Sequence, residues 1–159
     1  MIRSITRYAF DKGAILLEIC DRTIQLLYER NREIAGKPLD PVVRVRMILE
    51  AYTRWGLEHP NAYHLVYSTL PRATSNTTWS EGTRDLSSQT YEIFAGVVRE
   101  IAAAGRLRTG TADSAAQALW MACHGVVALL TSRPNFAWAP EEELLQVTVD
   151  GLINGLVVD

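Results

Sequence analysis

The 159 residues suffice for one globular domain with its own core and leave no room for a second. Hydrophobic residues make up 48% and charged residues 21%, too apolar for a disordered chain; the net charge of −2, with fourteen arginines and two lysines spread along the sequence, provides no basic stripe to neutralise phosphates. Two cysteines, Cys20 and Cys123, fit no metal-ligand spacing and read as small buried hydrophobes of a reducing cytoplasm.

Apolar spacing follows the helical period throughout, and no stretch alternates with period two, so the sequence predicts a single-domain all-α bundle of about six helices. Over residues 11–34, Leu17, Ile24, Leu27 and Tyr28 share one face, and Gly36-Lys37-Pro38 ends the helix. A second helix opens at Asp40-Pro41, a capping side chain followed by proline at the first helical position. It carries Val45, Ile48, Leu49, Tyr52 and Trp55 at three/four spacing. It stops by His59-Pro60, because the residue before a proline avoids helical geometry. Pro60 starts a short third helix with Tyr63, Val66, Tyr67 and Leu70 inward, and the breaker-rich segment 71–79 reads as a loop. From about residue 80 to 104, Leu86, Thr90, Ile93, Phe94, Val97 and Ile101 form the stripe of a fourth helix, closed by Gly105. Thr111 opens a fifth helix, to about residue 132, that is apolar almost all round. A sixth starts at Pro140, sets Glu141, Glu142 and Glu143 at the positive end of the macrodipole, and runs to residue 157 with Leu145, Val149, Leu152 and Leu156 inward. The longest apolar stretch, 115–130, is interrupted by Gln117 and His124, and no charged start followed by an apolar run marks a signal peptide; neither export nor a membrane span is expected. Arg30, Arg32, Arg44 and Arg46 read as solvated helix faces.

Small residues recur on the last two helices: Ala115, Ala118, Ala122 and Gly125 on the fifth, Gly151 and Gly155 on the sixth. Such stripes let helices approach closely, either within one chain or between two. Large apolar residues on further faces favour a partner: Leu119, Val126 and Leu130 on the fifth helix, Leu144, Val147 and Ile153 on the sixth. Two helices from each of two chains make a self-complementary four-helix interface, a two-fold homodimer with Ala118, Ala122, Gly125, Leu129, Leu145, Val149, Leu152, Gly155 and Leu156 as its candidate contacts.

Tyr52, Trp55, Tyr63, Tyr67, Tyr91, Phe94 and Trp120 fall on the inward stripes of four helices. They either fill a core or wall a cavity between the second, third, fourth and fifth helices; tyrosine and tryptophan, with polar tips on apolar bodies, suit both. His124 is a core or interface histidine or a further ligand contact. Cys123 and His124 are neighbours, but helix neighbours point about 100° apart and form no nucleophile–base pair. His59 and His64 lack the spacing that puts two ligands on one helix face. No catalytic set, metal site or cofactor motif can be assembled.

Two segments carry a resemblance. Residues 5–16 (ITRYAFDKGAIL) resemble the end of the DNA-binding head of TetR-type regulators, where an aromatic motif closes the recognition helix and an acidic or Ser residue with Lys opens a long connecting helix. Tyr8, Asp11-Lys12 and Ile15-Leu16 fit, whereas Thr6 and Ala9 stand where the family has aromatics. Trp120-Met-Ala-Cys-His124-Gly125, followed by Arg133-Pro134 and Phe136-Ala-Trp138, looks like the Trp-His-Gly signature of one C-terminal domain of that superfamily, and His59-Pro60 followed by Tyr63 is also similar. The resemblance implies a head remnant over residues 1–10 and, over 11–159, a domain that binds a small hydrophobic effector and dimerises, reaching DNA only through a missing N-terminal head. The alternative is a stand-alone helical dimer that has lost DNA binding and serves as a small-molecule or protein-partner binding module.

Overall fold

Residues Ile2–Ala35 form one continuous helix, α1, so the stretch resembling a recognition-helix end and the connecting helix share a single axis. The structure, a computed structural model, describes the backbone of residues 2–69, 81–108 and 110–158. The remaining helices are α2 (Pro41–Glu58), α3 (Pro60–His64), α4 (Glu81–Ala103), α5 (Ala112–Ser132) and α6 (Glu141–Leu156). The described residues hold no strand beyond an isolated antiparallel bridge between Leu107 and Val157, which ties the chain end to the loop after α4. The segment 71–79, read as a loop from sequence, lies outside the described residues.

Local chemistry sets the boundaries. The Asp40 carboxylate accepts from the Val42 amide at 2.8 Å, capping α2 one residue before Pro41. Gly105 adopts φ +73°; its amide donates to the Ala102 carbonyl and that of Arg106 to the Ile101 carbonyl, so a left-handed glycine closes α4 with the paired bonds that satisfy two of its terminal carbonyls. Thr111 and Ser114 cap each other's amides at the start of α5. After α3 the chain widens into a π turn, Leu65–Thr69, which no sequence pattern foretold; π turns recur at functional sites, and this one carries Tyr67.

The core joins α1, α2, α4, α5 and α6 through residues such as Ile34, Ile48, Val97, Leu119 and Leu145. Helix α5 is long and apolar enough to cross a membrane by length and composition alone. Its inner residues Ala115, Ala116, Leu119, Cys123, Val127 and Leu130 are buried among the other helices.

Several expectations need correction. Arg44 is buried, not on a solvated face: it donates to the carbonyls of Ala35 and Leu39 and pairs with Glu100, so it holds the end of α1 against α2 and α4. Arg46 likewise reaches across to Asp150 on α6. Along α6 the buried stripe is Leu145, Val149 and Ile153, four residues apart, with Leu152 and Leu156 at its edge; Ile153, read as facing away, is 4% exposed. Leu145 and Val149, candidates for partner contact, lie in the subunit's own core at 1% and 0% exposure and have no face left for a second chain.

Candidate ligand cavity and tyrosine cluster

Inward stripes that meet without filling the space between them leave a cavity of about 310 Å3. Helix α1 contributes Ile24, Leu27 and Asn31; α2 contributes Ile48, Leu49 and Tyr52; the π turn places Val66 and Tyr67 on the wall; α4 adds Ser87, Thr90, Tyr91 and Phe94; Trp120 from α5 completes it. Five of the sequence-derived candidates therefore surround one space: Tyr52, Tyr67, Tyr91, Phe94 and Trp120. Tyr91 and Trp120 are in ring contact, their centroids 5.5 Å apart. Trp120 is 37% exposed and reaches the surface instead of the middle of the core.

The other candidates stand apart from the wall. Trp55 packs with Leu27, Tyr63 and Val127 in a small buried cluster. Tyr63 is fully buried, and His124 sits behind the wall as its hydrogen-bond partner. Sequence reasoning missed the contribution of α1 and the polar wall residues Asn31, Ser87 and Thr90. The inward stripe of α1 was legible, but a stripe does not reveal whether the opposite wall touches it.

A polar cluster lies behind the wall at Tyr52 and Tyr67. The Tyr63 hydroxyl lies 2.8 Å from His124 Nδ1 and donates to the His124 carbonyl at 3.1 Å, while the Tyr52 hydroxyl lies 3.0 Å from the same Nδ1. The Tyr52 and Tyr67 rings meet edge-on at 6.1 Å, and those of Tyr67 and His124 at 5.2 Å. Burial, reinforced by the neighbouring Tyr67 and Tyr63 hydroxyls, pushes the Tyr52 phenol far above its ordinary range. Burial likewise raises Tyr63, and it pushes Tyr67 up to about 12. For His124 burial acts in the other direction and lowers the pKa, because the charged imidazolium is the form that loses hydration. The cluster is therefore neutral at pH 7, with all three phenols protonated, and among the described residues the cavity wall carries no Asp, Glu, Lys, Arg or His side chain.

The depressed His124 value makes a stability prediction. From about pH 6.5 downward the unfolded chain takes up a proton at His124 that the folded chain refuses until its own lower pKa is reached, so stability falls as pH falls through that window. Thermal melts from pH 7.5 to 5.5 should show the wild type losing more than His124→Asn, which cannot titrate; parallel losses would contradict the assignment.

Other reactive groups are withdrawn from use. Cys20 and Cys123 are free and buried; burial, then Asp21, pushes the Cys20 thiol up to about 11, and burial raises that of Cys123. No group of three or more His, Cys, Asp or Glu among the described residues could hold a metal ion.

The outer face of α5 and α6 is apolar and open. Met121, Leu129 and Val147 are 68%, 49% and 66% exposed. A groove of about 240 Å3 between the helices is lined by residues including Ala122, Gly125, Val126, Leu129 and Leu144. A Cβ added at Gly125, Gly151 or Gly155 would meet nothing within 4 Å. Of the interface candidates, Ala122, Gly125 and Leu129 line this groove, Ala118, Leu152 and Leu156 are half-buried, and Gly155 is exposed.

Comparisons agree with this architecture. A structure of a protein of unknown function from Rhodococcus sp. RHA1 superposes with a TM-score of 0.75 over 91% of this chain and 73% of that one, at 19% sequence identity, and so shares its fold. A search of curated proteins finds no match. Residues 45–152, more than half of the chain, match the family described as tetracyclin repressor-like, C-terminal domain. The span runs from the first buried valine of α2 to near the end of α6 and so takes in both the tyrosine cluster and the open groove: the chain belongs to the tetracyclin repressor-like C-terminal domain family.

Proposed function

We propose that this chain is the effector-binding and dimerisation domain of a cytoplasmic TetR-like transcriptional regulator, taking a small hydrophobic ligand in the cavity between α1, α2, α4 and α5. The observation that carries the reading is the cavity itself: a mostly apolar space of about 310 Å3 with a few polar groups, inside a domain of this family. Its α1 wall supplies the coupling. Ile24, Leu27 and Asn31 lie on the helix whose N-terminal end carries the head-like segment, so an occupant that shifts them tilts α1 and repositions whatever precedes it. DNA is reached, in this reading, only through an N-terminal head. The second copy docks on the open α5–α6 face.

Cavity filling stabilises the folded state by mass action, about 2.7 kcal/mol at a hundredfold excess over Kd, or roughly 5–10 °C in Tm for a chain of this size. A thermal-shift screen of hydrophobic compounds should give hits whose shifts shrink in Phe94→Ala and Trp120→Ala. Hits indifferent to both substitutions would return these aromatics to plain core.

A further inference from the structure

We propose, resting on the effector-cavity reading above, that Trp120 is a specificity-determining residue: with Tyr67 it separates the cavity from a second hollow on the outside of α5, and so limits how far a hydrophobic ligand extends on that side. The second hollow, of about 350 Å3, is lined by Tyr67, Trp120, Met121, His124 and Gly125. Among the described residues, Tyr67 and Trp120 alone line both spaces. A side chain that borders two spaces stands between them, so these two rings form the partition.

The helical period places Trp120 there. Leu119, Cys123 and Val127 recur every fourth residue along α5 and are buried in the core. Trp120 and His124 form the next row, and Met121 and Gly125 the row beyond it, on the outer side. Of these four only Trp120 lines the inner cavity, so it stands where the inward face of α5 turns outward. Ring contacts brace the partition. Trp120 meets Tyr91 at 5.5 Å and His124 at 6.1 Å, and His124 meets Tyr67 at 5.2 Å. Tyr67 is further held by Tyr52 and Tyr63, at 6.1 and 5.1 Å. Trp120 is partly exposed, and its ring is the part of the partition that can be removed without unpacking the buried tyrosines. A ligand too long for the inner space has to push that ring away from Tyr91 and His124, and gives up those contacts in doing so. Beyond the ring the outer hollow offers aromatic faces and the Met121 thioether, polarisable surfaces that suit an aryl group.

Thermal shifts of the full chain with benzophenone and with 4-phenylbenzophenone, which is longer by one ring, test this at a fixed concentration of each. The wild type should be stabilised more by benzophenone. In Trp120→Ala the benzophenone shift should shrink, since a wall residue is lost, while the shift from 4-phenylbenzophenone grows and becomes the larger of the two. The compounds' own solubilities are the same for both proteins, so a reversal of order between proteins reports the partition. Trp120→Leu, which removes the ring but keeps more apolar bulk for folding, carries the same expectation if the alanine variant does not fold. The isotope-labelled Met121 methyl locates the added ring: its resonance should move on titration of the ring-deleted variant with the longer compound. An equal or larger shift of the wild type by 4-phenylbenzophenone, an order unchanged on deletion of the Trp120 ring, or a Met121 methyl unmoved by the longer compound overturns the proposal while leaving a ligand-binding cavity. If neither compound stabilises the wild type, the effector-cavity reading falls and takes this inference with it.

Discussion

Gly56→Val should destabilise the fold by about 3 kcal/mol or more, and Gly56→Ala by about 1–3 kcal/mol, despite the better helix propensity of both replacements. Gly56 lies where α2 crosses α5. A Cβ built there would stand 2.7 and 3.0 Å from the two methyls of Val127 and 3.2 Å from the Tyr63 ring. Val127 and Tyr63 are both fully buried, so neither can swing aside without displacing its neighbours. Chemical denaturation should show a lowered midpoint at unchanged slope. An alanine variant as stable as the wild type would mean that α2 and α5 are not held this closely.

Gly125→Arg should convert the protein from dimer to monomer while leaving each subunit folded. The two halves of that expectation have separate grounds. Nothing lies within 4 Å of a Cβ at this position, so the side chain leaves the backbone of an isolated subunit without a clash and costs little stability. In a two-fold interface through α5 and α6 the same arginine enters the groove beside Ala122 and Leu129 twice, once from each subunit, and buries two unpaired like charges. Sedimentation velocity at micromolar concentration should give a dimer for the wild type and a monomer with unchanged helical circular dichroism for the variant. A dimer that survives the substitution would place the interface elsewhere.

The helices were legible because their signals are local. Asp40-Pro41, His59-Pro60, Gly105 and Thr111 each mark a boundary through capping or backbone geometry that needs no knowledge of the rest of the fold. The joining of Ile2–Ala35 into one helix was not, since the change of motif near Asp11 is a change of role and not of backbone. The π turn at Leu65–Thr69 escaped because it alters register by one residue without altering composition. It nevertheless decides where Tyr67 stands.

The candidate site was legible in kind more than in arrangement. Aromatic residues on facing stripes gave five wall positions, but periodicity cannot separate a residue that borders a void from one that packs beside it. Trp55 and Tyr63 share the spacing of Tyr52 and Tyr67 yet belong to the core. The burial of Arg44 was hidden for a similar reason: its partners, the carbonyls of Ala35 and Leu39 and the Glu100 carboxylate, come from two other segments that the fold brings together. Leu145 and Val149 were assigned to a partner because α6 has more apolar residues than one face requires; which of its faces meets α2 and α5 is a tertiary fact.

The measurement that bears most directly on the central claim is backbone amide chemical-shift mapping of the isotopically labelled chain titrated with benzophenone. An internal effector site predicts saturable shifts concentrated on four stretches of the wall: Ile24 to Asn31 on α1, Ile48 to Tyr52 on α2, Ser87 to Phe94 on α4, and the turn of α5 around Trp120. Shifts confined to the outer α5–α6 face around Met121, Leu129 and Val147, with the amides of α1 and α4 unmoved, would contradict it.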